Sequence, residues 1–135
     1  MAPYEDEWDE HLILIVAAQP AASILQQQFA RHGWSCVASG LCSEAEAALQ
    51  VHNPAVVLTQ DVLPDGTWRE VFQSTISSRP EAVRFVCSRQ STLRLWMDVL
   101  AKGGCDLIPE PCPNKLIEHI FRRFGQTEAQ VCDAA

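Results

Sequence analysis

A chain of 135 residues, 47% hydrophobic and 20% charged, has the length of one domain and enough apolar side chains to bury a core; this leaves no room for a second catalytic or DNA-reading module and excludes a disordered or low-complexity polypeptide. Its formal charge is −7, yet five of the 17 acids (Glu5, Asp6, Glu7, Asp9 and Glu10) crowd the first ten residues, and no basic stripe of the kind that nucleic-acid binding needs follows them. The longest apolar run, Leu12 to Ala18, is far shorter than the roughly 20 residues of a membrane-spanning helix and follows an acidic start, so neither a nucleic-acid nor a membrane partner is expected and a cytoplasmic location is.

His11 to Ala17 is an almost unbroken aliphatic run, the pattern of a strand buried on both faces, and predicts the central strand of a parallel sheet. Ala21, Ile24, Leu25 and Phe29 recur at helical spacing and predict a first helix, ended at His32 and Gly33, where a glycine can take the left-handed conformation. A short second strand is expected near Trp34 to Ala38, then a helix from about Ser43, whose hydroxyl can cap the free amides ahead of Glu44 and Glu46. Asn53-Pro54 stops that helix, because the residue before proline avoids the helical region, and Ala55 to Thr59 is the third strand. After the turn Leu63-Pro64-Asp65-Gly66 a third helix runs through Val71, Phe72, Thr75 and Ile76, with Trp68 at its start either lying over the strand ends or packing inward. Val83 to Cys87 is the fourth strand and about Thr92 to Lys102 the fourth helix, closed by Gly103-Gly104. Cys105 to Ile108 is the fifth strand, and Leu116, Ile117, Ile120, Phe121 and Phe124 mark the last helix.

Five strand–helix units in succession imply an α/β three-layer sandwich, a five-stranded parallel sheet with helices on both faces, because each parallel crossover must travel over a face with one hand. The domain is expected over residues 11 to 124, with residues 1 to 10 an acidic N-terminal tail and 125 to 135 a C-terminal tail too short for an output domain. In such a sheet the working site forms beyond the carboxyl ends of the strands, where strand order reverses. Ala17, Ala18, Gln60, Asp61, Ser88 and Glu110 stand there. Six cysteines (Cys36, Cys42, Cys87, Cys105, Cys112 and Cys132) form no C-x-x-C pair; they read as free thiols, with Cys87 in the core, rather than as a zinc site or a disulfide framework.

These strand-end segments resemble the receiver domain of two-component response regulators, over about residues 11 to 124. "LILIVAAQP" resembles the first-strand motif, with Ala17 and Ala18 where the family has two acidic residues. "PAVVLTQDVLPDG" resembles the third strand and its loop, with Gln60, four residues before Pro64, at the position of the phosphate-accepting aspartate. "FVCSR" places the family's hydroxyl at Ser88, and "KGGCDLIPEP" has Glu110-Pro111 where a lysine normally precedes the proline. The resemblance implies a flavodoxin-like (βα)5 topology with strand order 2-1-3-4-5 and a role in phosphorelay signal transduction.

The departures from the family pattern bear on the chemistry. In the family the acids hold a magnesium ion, a hard cation that requires oxygen ligands. Ala17 and Ala18 supply none, and the Gln60 amide cannot serve as the carboxylate nucleophile that forms an aspartyl phosphate. The sole charge at the four family positions is Glu110, standing where a cation would have faced the phosphate, so the transferring oxygens would be repelled. No cofactor, no metal and no enzymatic activity are expected. Asp61 is the fallback acceptor if the third strand slips by one residue, a shift that the buried run Ala55 to Leu58 and the Pro64-Asp65-Gly66 turn oppose. Otherwise Asp61 reads as a solvated loop carboxylate, Glu110 as a surface charge, and Ser88 as bonded to nearby backbone.

The resemblance also implies a partner surface on the fourth helix, fifth strand and fifth helix. At about 100° per residue, Leu95, Trp96 and Val99 fall on one side of the fourth helix and Leu93, Met97 and Leu100 on another. With Val99 pointing inward, Leu93, Met97 and Leu100 face solvent and Trp96 lies between, unless the helix sits deeper in a broad core. Leu107 stands where the family often has a switching aromatic, which implies a fixed state. The leading expectation is a stand-alone pseudo-receiver that binds a signalling kinase, a regulator or a second copy of itself through Leu93, Trp96, Met97, Leu100 and Leu107. The alternatives are a receiver that accepts phosphate at Asp61, and a small-molecule or redox sensor built on the remodelled pocket.

Overall fold

The computed structural model describes residues 9–124; expectations placed on residues 1–8, on residues 125–135 with Cys132, and on the side chains of Phe121 and Phe124 lie outside the described residues. The elements, in chain order, are β1 (Asp9–Val16), α1 (Ala21–Arg31), β2 (Ser35–Ser39), α2 (Cys42–Val51), β3 (Pro54–Gln60), β4 (Val62–Leu63), β5 (Gly66–Thr67), α3 (Trp68–Ser78), β6 (Val83–Ser88), α4 (Leu93–Ala101), β7 (Asp106–Pro109) and α5 (Asn114–Phe124). The sheet order is β2-β1-β3-β6-β7, every pair parallel. With the two-residue strands β4 and β5 set aside, this is the order 2-1-3-4-5.

The first strand behaves as its composition demands. Ile13, Leu14, Ile15 and Val16 are all 2% exposed or less, because alternate side chains enter two separate cores. Ile13 and Ile15 pack with Leu25 and Phe29 of α1 and Ile117 and Ile120 of α5, while Leu14 and Val16 pack with Ala45 and Leu49 of α2 and Val71 of α3. A third cluster of Trp68, Phe72, Val86 and Val99 seats α4. No helix among the described residues is long and apolar enough to cross a membrane.

Three local expectations are corrected. Ile24 and Ile76 face solvent at 51% and 45% exposure; the stripe that α1 buries is Ala21, Ala22, Leu25 and Phe29, and one residue of rotation, about 100°, carries Ile24 off it. Ser43 does not cap α2. The N-cap position is Leu41, and the free amides of Cys42 and Ser43 donate instead to the Asp65 carboxylate at 2.7 and 3.1 Å. Asp65 reaches them because Leu63-Pro64-Asp65-Gly66 is the turn of a small antiparallel β4–β5 hairpin, a pairing the sequence reading did not anticipate. Trp68, one of the two positions left open, packs inward: it is 2% exposed, with its ring edge-on to Phe72 at 5.1 Å, behind a Thr67–Glu70 capping box. Gly33 and Gly103 take the positive φ values, 89° and 92°, that end α1 and α4.

Candidate functional site

Parallel strands deliver their last residues to one end of the sheet, and four of those ends meet in a polar cavity of about 300 Å³, lined among others by Ala18, Gln60, Asp61, Ser88, Arg89 and Glu110. All the strand-end residues singled out from the sequence are brought together there except Ala17, which is 2% exposed and belongs to the core beneath α1.

Gln60, the last residue of β3, acts as a crossbar. Its Oε1 accepts the Ala18 amide at 2.8 Å and its Nε2 donates to Glu110 Oε1 at 3.1 Å, so a neutral amide ties the loop after β1 to the loop after β7. Glu110 continues the chain, its Oε2 accepting from Arg89 Nε at 3.2 Å. The Glu110 side chain is only 12% exposed against 78% for Arg89. The surface-charge reading of Glu110 is therefore corrected: it is a largely enclosed acceptor, held by the Gln60 amide nitrogen while the Gln60 carbonyl oxygen takes the Ala18 amide.

The solvated-loop reading of Asp61 is corrected as well, while Ser88 bonds to nearby backbone as expected and to Asp61 besides. Ser88 is 1% exposed; its oxygen accepts the Gln90 amide at 2.9 Å and its hydroxyl donates to Asp61 Oδ2 at 2.8 Å. Asp61 Oδ1 takes the Val62 amide at 3.1 Å. No register slip is needed for this. Side chains alternate only while the chain stays in the strand; β3 stops at Gln60, the backbone turns into β4, and residues 60 and 61 line the same cavity.

The arrangement does not fit a magnesium ion. Ala17 and Ala18 carry no ligand atom, the Gln60 oxygen is spent on an amide, and the two carboxylates, Asp61 and Glu110, each meet two donors already. Among the described residues no group of three or more His, Cys, Asp or Glu could hold a metal ion. Arg89, which sequence reading passed over, is the cavity's one cation among its lining residues; its position directly after Ser88 carried no signal, because only the fold sets it against Glu110.

Among the described residues no thiol is activated. Burial pushes Cys87 and Cys36 up from the ordinary thiol range and is the main upward cause at Cys105. Cys112 is pushed up to about 11 by burial, and Cys42 to about 11 by burial and then by the Asp65 carboxylate. A redox sensor needs the opposite, a thiol lowered by neighbouring positive charge.

The outer face of α4 is apolar and open, so the helix does not sit deeper in the core. Leu93, Trp96, Met97 and Leu100 are 69%, 41%, 59% and 40% exposed, while Val99 is fully buried. The Trp96 indole donates to Asp106 Oδ1 at 3.0 Å, which fixes the ring beside Leu93 and Leu107 over a shallow cavity of about 290 Å³. Leu107 is half-buried and packs against the Trp68–Val99 cluster.

No family model matches the chain and no curated protein matches it. Solved structures do. A CheY-like response regulator receiver domain protein from Methanospirillum hungatei is 20% identical, with 90% of this chain and 97% of that one covered at a TM-score of 0.77. The signal receiver domain of an HD domain-containing protein from Pseudomonas fluorescens is 17% identical over the same shares, also at 0.77. A chain of the CheX–CheY–BeF3–Mg2+ complex from Borrelia burgdorferi is 20% identical over 82% and 86%, at 0.74. The fold is that of receiver domains.

Proposed function

We propose that this chain is a receiver-like signalling module that acts by protein–protein contact and whose strand-end cavity is cross-linked by its own side chains into one arrangement instead of being switched by phosphate. The observation that carries the reading is the Gln60 crossbar: at the acceptor position stands an amide already bonded to both flanking loops. A phosphoryl group entering there would meet no carboxylate nucleophile at residue 60 and a net excess of one negative charge from Asp61, Glu110 and Arg89. The docking surface is the outer face of α4 with β7, through Leu93, Trp96, Met97, Leu100 and Leu107, and extends toward α5. It suits a signalling kinase, a regulator or a second copy of the chain, because exposed aliphatic side chains around a fixed tryptophan make a desolvatable centre. The chain performs no catalysis in this reading and works in the cytoplasm.

One observation favours a second reading, phosphate acceptance at Asp61: its carboxylate lines the same cavity, 2.8 Å from the Ser88 hydroxyl. Incubation with acetyl phosphate, with and without Mg2+, followed by intact-mass measurement separates the two. The leading reading expects no added mass and no Mg2+-dependent rise in Tm. A phosphoryl adduct that disappears in Asp61→Asn replaces it with the second.

A further inference from the structure

The strand-end cavity does not stop at Glu110. A second cavity of about 410 Å³ shares Pro20, Ala21, Arg89 and Glu110 with it and continues between α1 and the segment after β7. Its other walls are Ile24, Leu25, Pro111 and Cys112, with Gln28, whose amide nitrogen is engaged by the Cys112 carbonyl and Asn114 Oδ1 at 2.9 and 3.2 Å. Ala21, Leu25 and Cys112 belong to the core, while Ile24 is exposed. A polar chamber therefore joins an apolar one, the make-up of small-molecule sites, in which a few polar groups orient a ligand held by apolar walls.

The charges in the polar chamber are unevenly balanced. Arg89, the one cation among the residues lining it, is paired with Glu110 at 3.2 Å. Asp61 is half-buried and accepts only neutral donors, the Val62 amide and the Ser88 hydroxyl, and among the described residues no ion pair reaches it. A carboxylate drawn partly out of water without a counter-charge is where an entering cation gains most.

The acceptors left over decide which cation. A carboxylate offers about four lone-pair sites, and Asp61 has filled two of them. Magnesium needs a near-octahedral set of oxygens, which these residues do not supply. A primary ammonium is a compact charge with three N–H donors and no fixed coordination geometry, so one carboxylate and water suffice for it.

We propose that the two joined cavities bind a small amphipathic primary amine, its ammonium on Asp61 and its apolar body against Ile24, Leu25 and Pro111. The inference goes beyond the docking reading and uses no residue of the α4 face, so either can fail without the other.

The test titrates phenethylamine into the full chain at pH 7 and low salt, with no phosphodonor present, by isothermal titration calorimetry. Saturable binding at one site is expected, with a rise in Tm of about 5 °C at ten times the dissociation constant. Phenethyl alcohol, the same shape without the charge, and ethylamine, the charge without the body, should each bind at least about tenfold more weakly. Asp61→Asn should weaken phenethylamine binding at least about tenfold, and Ile24→Ser, at an exposed position, about fivefold with the Tm of the free protein unchanged. The proposal is overturned by no saturable binding, or by an affinity that Asp61→Asn leaves unchanged. Equal binding of the alcohol would mean an apolar pocket alone, and equal binding of ethylamine charge attraction alone; either overturns it too. Both ligand comparisons use the parent chain, so they decide the matter even where Asp61→Asn fails to fold.

Discussion

The Gln60 crossbar can be tested by changing its charge while keeping its shape. Gln60→Ala removes one neutral hydrogen bond, to Ala18, and one to a carboxylate, Glu110. Such bonds net about 1 and about 1.5 to 3 kcal/mol, and because the cavity admits water the lower end applies, about 2.5 kcal/mol or a fall in Tm of about 9 °C. Gln60→Glu keeps the acceptor for Ala18 but sets a carboxylate 3.1 Å from Glu110 Oε1 where a donor stood. Its cost at pH 7 is expected to exceed that of the alanine variant, at about 3 kcal/mol after screening by solvent and Arg89.

The sign of its pH dependence follows from the repulsion. Glu110 raises the folded-state pKa of the introduced carboxyl above the unfolded value of about 4.3, so the penalty is full above the raised value and vanishes as pH falls through it toward about 4. Urea denaturation followed by circular dichroism at pH 7 and near pH 4 measures both quantities. The transposed double variant, Gln60→Glu with Glu110→Gln, restores one donor opposite one carboxylate and should recover to within about 1 kcal/mol of the parent. A single Gln60→Glu variant as stable as the parent at pH 7, or a double variant no better than the single, would refute the crossbar.

Two further outcomes are expected. Gly104→Ala should destabilise by about 2 kcal/mol, because an added Cβ would collide with Val99 Cγ1 and stand 2.9 Å from Phe72 Cε2 and the Val99 carbonyl, whereas Gly40→Ala, whose nearest neighbours lie at 3.8 Å, should leave the Tm unchanged. Asp65→Asn should lower the Tm at pH 7 by loosening the start of α2. The Cys42 amide holds the Asp65 carboxyl below the usual carboxylate range, so its contribution is present above the unfolded pKa of about 3.9 and is lost as pH falls through the folded value; parent and variant melts should therefore converge as acid protonates the folded carboxyl.

Much of the framework was legible along the chain because it is written in local terms. The unbroken aliphatic stretch of β1 could lie only between two layers, Gly33 and Gly103 stop helices because they reach positive φ, and the alternation of strands and helices implied a parallel sheet covered on both faces, its order 2-1-3-4-5 coming only with the resemblance to receiver domains. The absence of ligand oxygens at Ala17 and Ala18 and of a nucleophile at Gln60 is likewise a property of side-chain chemistry alone. Helical angle separates Val99 from Leu93, Met97 and Leu100 on α4, and it was the register implied by the resemblance that turned Val99 inward.

What the residues do to one another at the strand ends was decided only by the tertiary fold. Asp61 looked like a loop acid because strand alternation assigns it the far face; it turns to Ser88 because β3 ends one residue earlier and the β4–β5 hairpin bends the chain. Glu110 lies 50 residues from Gln60 and 21 from Arg89, and Asp65 lies 23 from Cys42. A hydrogen bond depends on angstroms and angles between partners brought together by the whole sheet, whereas hydrophobic periodicity depends on neighbours within a turn or two, and only the second is carried by the order of amino acids along a single segment.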